Sequence, residues 1–167
     1  MKTVLTPDFC LDEHGFLWAQ MWITEDVLKH IHLIWRGPVG NIAGQQISSY
    51  HSIHQRLREH LQTQLPMPFP EQTDWAHHPA FPIQPSPFQQ RVWQRCSQIP
   101  TGESLTYAQL AEAIGHPRAA RAVGNALNRN PWPILIPCHR VQAANNPGGY
   151  AWGPEIKQFL HCAERLG

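Results

Sequence analysis

The sequence lacks the marks of an exported or membrane-held protein. No charged segment followed by an apolar run opens it, and no apolar run among its 167 residues is long enough to span a bilayer. The expectation is a soluble, cytoplasmic protein with no membrane partner. Paired cysteine spacing is lacking as well. Cys10, Cys96, Cys138 and Cys162 form no C-x-x-C, so the four are expected as free thiols in a reducing compartment. Charge is scarce, at 15% of residues, and one sign is missing from a long stretch. No carboxylate occurs from Ala113 through Pro154, while Arg118, Arg121, Arg129 and Arg140 fall inside it. A segment of that size without an acid is a candidate footprint for a polyanion, and so few cations predict a small footprint with moderate non-specific affinity.

What is plentiful is apolar: 42% hydrophobic residues with seven tryptophans, ample for a packed core. The net charge of +1 hides an asymmetry. Residues 1–85 carry five basic and eight acidic side chains, net −3; residues 86–167 carry eight and four, net +4. Seven of the sixteen prolines fall between Pro66 and Pro87, where no helical period runs. That stretch reads as an extended connection between two units. The expected division is a supporting α/β unit over residues 1–84 and a second unit over 85–167.

In the first unit, Phe16–Ile23 and Leu28–Trp35 read as antiparallel strands separated by Thr24-Glu25-Asp26. Ile31, Leu33 and Trp35 alternate with His30 and His32, the period of a half-buried strand. Gly37–Gly44 reads as a loop. Leu57, Leu61 and Leu65 mark a helix over His54–Leu65. Cys10 with His14, and His30 with His32, are ligand types, but their spacing fits no compact zinc signature, so no metal site is assigned.

The second unit opens with Ser86-Pro87-Phe88-Gln89, an N-cap, a first-turn proline and a capping-box glutamine. Phe88, Val92, Cys96 and Ile99 recur on one face, which makes Cys96 a core residue. Thr106 with Gln109 is a second capping box, Leu110 and Ile114 continue the apolar face, and Gly115 stops the helix. A third helix is expected from Arg118 to about Arg129. Helix, short glycine turn, helix is the helix-turn-helix pattern. The third helix is built from small residues, Ala119, Ala120, Ala122, Gly124 and Ala126, with Arg121 among them. Small side chains permit close approach, either to another surface or to a neighbouring helix. With one Arg and few base-reading groups, such a helix grips nucleic acid without reading sequence. A last helix starts at Pro154 with the stripe Ile156, Phe159, Leu160, Ala163. Glu164 falls at the buried edge of that stripe, where a carboxylate is costly unless paired; a glutamate reaching solvent near the chain end is the alternative.

Between these helices lies Asn130-Pro131-Trp132-Pro133-Ile134-Leu135-Ile136-Pro137-Cys138-His139-Arg140-Val141. Three prolines in seven residues make a stiff segment that holds Cys138 at a defined depth. A thiol beside an imidazole suits nucleophilic chemistry, and equally a buried structural cysteine at a strand end.

Pro137-Cys138-His139-Arg140-Val141, preceded by Arg121-Ala122-Val123-Gly124 and followed by Gly149-Tyr150-Ala151-Trp152-Gly153, resembles the O6-alkylguanine-DNA alkyltransferase family. The likeness runs from about Pro85 to Glu164. It implies an α/β (α+β) protein: an N-terminal antiparallel sheet with a helix, ribonuclease H-like, and a mainly helical C-terminal domain like a winged helix-turn-helix. It implies direct repair of O6-alkylguanine, and of O4-methylthymine, in double-stranded DNA bound through the minor groove. The protein would act as a monomer, without a cofactor, in one turnover.

Residue by residue, the resemblance implies that Cys138 accepts the alkyl group and that His139 deprotonates it through a water, oriented by Glu164. Asn130 braces the turn into the active-site segment, and Tyr107 donates a proton to the extruded guanine. Arg121 fills the vacated stack. Ala120, Ala122, Gly124, Leu127, Asn128 and Arg129 complete the DNA-facing set. Val141, Tyr150, Ala151 and Trp152 line the base pocket, where the Trp152 indole would favour methyl over benzyl groups. The competing readings are three. A non-transferring DNA-binding relative would replace the acceptor cysteine. A cysteine hydrolase using Cys138, His139 and Glu164 lacks an oxyanion loop. A transcription regulator lacks base-reading side chains.

Overall fold

The computed structural model describes residues 3–24, 27–37, 49–64 and 84–165. Residues 1–71 group with 152–167 in one compact unit, and 72–151 form a second. Among the described residues no helix is long and apolar enough to cross a membrane.

The first unit is built on a four-stranded antiparallel sheet. Its strands are β1 (Thr3–Leu5), β2 (Phe9–Cys10), β3 (Leu17–Thr24) and β4 (Val27–Trp35). β3 is central: β4 pairs along one edge, and β1 and β2 share the other. Leu17, Ala19, Met21 and Ile23 point into the core, and Trp18, Gln20 and Trp22 stand on the opposite face. On β4 the inward residues are Leu28, Ile31 and Leu33. The three-residue step from Leu28 to Ile31 comes from a register shift: Ile23 pairs with Leu28 but Trp22 pairs with His30, leaving Lys29 as the extra residue of a bulge. Beyond it the expected alternation holds, with His30 half-buried and His32 exposed.

Helix α1 (Tyr50–Gln64) starts four residues before the expected His54 and buries Ile53 and Leu57. The side chain of Leu61, and Leu65 itself, lie outside the described residues, as do Glu25, Asp26 and residues 38–48 and 65–83 of the expected turn, loop and connection. The last helix, α5 (Pro154–Glu164), packs in this unit against α1 and β4. Its stripe Ile156, Phe159, Leu160 and Ala163 is buried, and the Phe159 ring meets Trp35 edge-on at 5.2 Å. Cys10 and His14 belong to a turn organised by the buried Asp12. The Asp12 carboxylate accepts from the Leu17 and His14 amides at 2.6 and 3.0 Å, and the Cys10 thiol donates to the Asp12 carbonyl at 2.9 Å.

The second unit comprises α2 (Pro87–Ser97), β5 (Leu105–Thr106), α3 (Tyr107–Ala113), α4 (Ala120–Asn128) and β6 (Val141–Gln142). Both expected capping boxes form, Ser86 with Gln89 and Thr106 with Gln109. Gly115 takes φ +77° just past α3, the left-handed geometry that lets the chain turn away from a helix end. α4 begins at Ala120, two residues after the expected Arg118. The Ala119 amide bonds to the His116 carbonyl at 2.9 Å, so Pro117 and Arg118 are spent in a turn before the helix. Val92, Trp93 and Cys96 of α2, Leu110 and Ala111 of α3, and Val123, Ala126 and Leu127 of α4 form the three-helix core. Within it the Trp93 indole N–H donates to the Ala126 carbonyl at 3.0 Å, locking α2 to α4. β5 and β6 pair in parallel and return the chain to the start of α3.

Candidate active site at the exit of the helix-turn-helix

The site is organised around Asn130, which follows α4 directly and is 1% exposed. Its backbone N–H still bonds to the Leu127 carbonyl, so it belongs to the last turn of that helix. Its side chain reaches three places in the proline-rich segment. Oδ1 accepts from the Trp132 amide at 3.0 Å, and Nδ2 donates to the Ile136 carbonyl at 2.9 Å and to Cys138 Sγ at 3.1 Å. One amide therefore ties the helix end, the loop and the sulfur together.

The loop bends sharply to allow this. Ile134 sits at φ +73°, the one non-glycine residue in left-handed backbone among the described residues. A β-branched residue there costs about 1–2 kcal/mol. The strain is held by the Ile136 amide on the Trp132 carbonyl at 2.9 Å and by burial of every residue from Asn130 to Val141. Pro137 then leads into a single 3₁₀ turn, Cys138–Arg140, whose first amide bonds to the Ile136 carbonyl at 2.7 Å. Cys138 is 5% exposed, His139 is fully buried, and Val141 is buried behind them.

Arg140 is a residue whose role the sequence reading missed. It was counted among cations available to a polyanion, but it is 6% exposed. Its guanidinium donates to the Ile99 carbonyl at 2.6 Å and to the Thr101 hydroxyl at 3.0 Å, fastening the Cys138–Arg140 turn to the segment just past α2. The available signal was position: an Arg inside an otherwise apolar, proline-bracketed run is more readily a brace than a surface charge.

Tyr107 opens α3. A Cβ at Gly124 would meet its ring in ordinary contact at 3.8 Å, whereas a Cβ at Gly148, φ +72°, would lie only 3.1 Å away. Its hydroxyl donates to the Gly149 carbonyl at 3.3 Å. Burial, and secondly the negative charge that Cys138 carries when ionised, hold the phenol above its ordinary value. Cys96, in the core of α2, is pushed far up by burial, then by Cys138, against the opposing pull of Arg140 and Arg95.

On α4 the exposed residues are Arg121, Ala122, Asn125 and Asn128, with Arg129 just past its end, while Ala120 and Gly124 are half-buried. Leu127, expected among the DNA-facing residues, is 5% exposed and turned into the helical core; Asn125, which the sequence reading passed over, stands outward. Tyr150 is half-buried and Ala151 exposed. Trp152 and Glu164 lie in the first unit. Trp152 is tilted against the His30 imidazole, centroids 6.4 Å apart, and Glu164 is buried on α5. The second unit thus brings together Asn130, Cys138, His139, Val141 and Tyr107.

The second helix of a helix-turn-helix leads through Asn130 to a buried, amide-braced cysteine, and that arrangement defines the class of protein. Residues 87–166 match the family described as 6-O-methylguanine DNA methyltransferase, DNA binding domain. The chain is 46% identical over 92 residues to the probable methylated-DNA–protein-cysteine methyltransferase of Acanthamoeba polyphaga mimivirus, covering 55% of this chain and 62% of the relative. It is 53% identical over 83 residues to the constitutive methylated-DNA–protein-cysteine methyltransferase of Bacillus subtilis, covering 48% and 50%. The fold resembles that of the Mycobacterium tuberculosis OGT in complex with DNA, with TM-score 0.59 and 28% identity over 89% of this chain and 87% of that one. Over residues 87–166 the chain matches the O6-alkylguanine-DNA alkyltransferase family, and the match spans about half the length of these curated relatives.

Proposed function

We propose that the protein repairs DNA directly, transferring the alkyl group of O6-alkylguanine to Cys138 once and irreversibly. The observation that carries this reading is the Asn130 amide. It holds the Cys138 sulfur from the end of α4 while bonding the loop on either side. An N–H aimed at sulfur supports negative charge on it, and the thiolate is the nucleophile.

The target carbon is hidden inside a duplex, so the nucleotide is extruded before it reaches the thiol. α4 lies in the minor groove, where its small residues allow close approach, and Arg121 occupies the vacated place in the stack. The thiolate attacks the carbon on O6. A sulfur–carbon bond forms as the carbon–oxygen bond breaks, and guanine departs. The Cys138 proton leaves through His139 and a water to solvent. Tyr107 gives its proton to the guanine ring, so the base leaves neutral, and the phenol regains a proton from solvent. The part of Glu164 rests on the resemblance. The thioether is stable, so each molecule acts once; action as a monomer without a cofactor rests on the resemblance.

The test is incubation with an O6-methylguanine duplex followed by intact mass and peptide mapping. One methyl on Cys138 and an end point of one per protein are expected, and Cys138→Ala should bind duplex and transfer nothing. Multiple turnover, or label on Cys10, Cys96 or Cys162, sinks the proposal.

A further inference from the structure

We infer that the groove between α2 and the end of α3 docks an acidic segment of a partner protein, its carboxylates paired with Arg91 and Arg95. The inference stands apart from the alkyl-transfer reading, since nothing in it depends on Cys138. Arg91, Gln94, Arg95 and Gln98 line one wall of a space of about 290 Å³, and Ala113 and Ile114 line the other. The four polar residues follow at i, i+3, i+4 and i+7, so they share one face of α2. That face lies opposite the buried Val92, Trp93 and Cys96. Arg91 and Gln98 are exposed, and Gln94 and Arg95 are half-buried. Among the described residues none of the four side chains makes a hydrogen bond or ion pair.

The charges favour an anion. Arg91 and Arg95 are like charges at i and i+4, which oppose each other on a helix surface. No carboxylate relieves them: α2 contains no Asp or Glu, and none lines the groove. An anionic segment seated between them removes the repulsion and meets two forked sets of donors. The rest of the lining selects peptide over phosphate. Gln94 and Gln98 offer acceptors as well as donors. A sugar–phosphate strand brings acceptors alone and leaves the two glutamine carbonyls unmatched. A peptide brings N–H, C=O and carboxylate together, which suits all four side chains. Ala113 and the half-buried Ile114 add carbon surface for an aliphatic side chain beside the carboxylates. Arg91 and Arg95 are about 6 Å apart along the helix axis. Carboxylates two residues apart on an extended segment have nearly that spacing, at about 3.3 Å per residue.

The groove also stands clear of the helix proposed to meet DNA. The Trp93 indole fixes α4 to the other side of α2 through the Ala126 carbonyl. A partner in the groove leaves α4 uncovered, so the protein can hold a duplex and the acidic segment together.

The probe is a short fluorescein-labelled peptide in which glutamate alternates with alanine, with glutamine in place of glutamate as its neutral counterpart. Binding to the full chain is measured by fluorescence anisotropy at about 0.15 M salt, where exposed charges beyond about 8 Å are screened. Wild type should bind the glutamate peptide and not the counterpart. Arg91→Glu and Arg95→Glu should each weaken binding at least about ten-fold, because like charges then meet across the groove. The two are read separately, so a folding defect in one leaves the other to decide. Arg118→Glu makes the same change of net charge at an exposed residue outside the groove and should shift the affinity less than about two-fold. Saturating undamaged duplex should leave the peptide bound. Equal losses in all three variants would reduce the effect to net charge and overturn the inference. Displacement of the peptide by duplex, or no binding by wild type, overturns it as well, and each leaves the alkyl-transfer reading intact.

Discussion

Asn130 shows how one side chain does several jobs that the sequence states only in part. The sequence places it between a helix and a cysteine segment, and the family resemblance implies a brace; its three partners emerge only when the chain folds back on itself. The parts proposed for Cys138, Tyr107 and Arg121 come from the resemblance of their motifs to the family's. Arg140 and Asn125 were not legible, because their placement depends on which way a side chain faces, and a charged or amide residue carries no label for inside or outside. The geometry makes a specific prediction. Asn130→Ala leaves the Trp132 amide and the Ile136 carbonyl short of a partner in a buried loop, each costing about 1–3 kcal/mol. A net loss of about 2–3 kcal/mol in urea denaturation is expected. Asn130→Asp keeps the shape and the acceptor for Trp132 but faces Cys138 with a carboxylate. It should slow alkyl transfer at pH 7 by at least about ten-fold at 1.4 kcal/mol per decade, with a loss of stability at least as large as that of Asn130→Ala, because the buried carboxylate also faces the Ile136 carbonyl. Transfer by Asn130→Asp at the wild-type rate would show that the amide holds the loop and does nothing for the sulfur.

At the scale of elements, the helices were the legible part, since caps and stops are local chemistry. The Ser86–Gln89 and Thr106–Gln109 boxes and the Gly115 stop were read in place. α4 was read two residues long at its start, because nothing local says that Pro117 and Arg118 belong to a turn. The sheet was legible in its alternation, but the bulge at Lys29 was not: alternation breaks there through pairing with β3, a partner the strand's own sequence does not contain. The buried face of α2 carries a pH dependence. Burial holds Cys96 well above the ordinary thiol value of 9.0 in the folded protein, whereas the unfolded chain ionises it near that value. The folded state thus binds this proton more tightly. Its contribution is complete below pH 9 and is lost as pH rises above 9, by up to about 1.4 kcal/mol per pH unit. Cys96→Ala should therefore lose stability less steeply than wild type between pH 9 and 10.5, read as urea midpoints in the two proteins. Parallel slopes would mean that the thiol ionises alike in both states.

The whole molecule divides differently in sequence and in space. Composition and proline density suggest a boundary near residue 84, and the family match runs unbroken over residues 87–166. The packing of α5 cuts across that match. Its stripe lies against α1 and β4, with Phe159 on Trp35, while α2, α3 and α4 close their own core around Trp93, Val123 and Leu110. Sequence likeness follows function along the chain and need not follow the packing of units, which is why this was not legible beforehand. The consequence is testable with fragments. A piece spanning residues 85–151 keeps all three helices, both capping boxes and the Trp93–Ala126 bond. A piece spanning 85–167 adds α5 without the sheet that buries it, exposing Ile156, Phe159 and Leu160. At about 25 cal/mol per Å² of apolar area, each such side chain left in water forfeits about 1.5–3 kcal/mol. The shorter fragment should give the dispersed amide spectrum of a folded helical unit. The longer one should aggregate, or show α5 resonances at random-coil positions, until residues 1–71 are supplied in trans. If the longer fragment is instead monodisperse with α5 protected from hydrogen exchange, the last helix finds its burial within the second half of the chain, and the division at residue 84 describes the molecule better than the packing does.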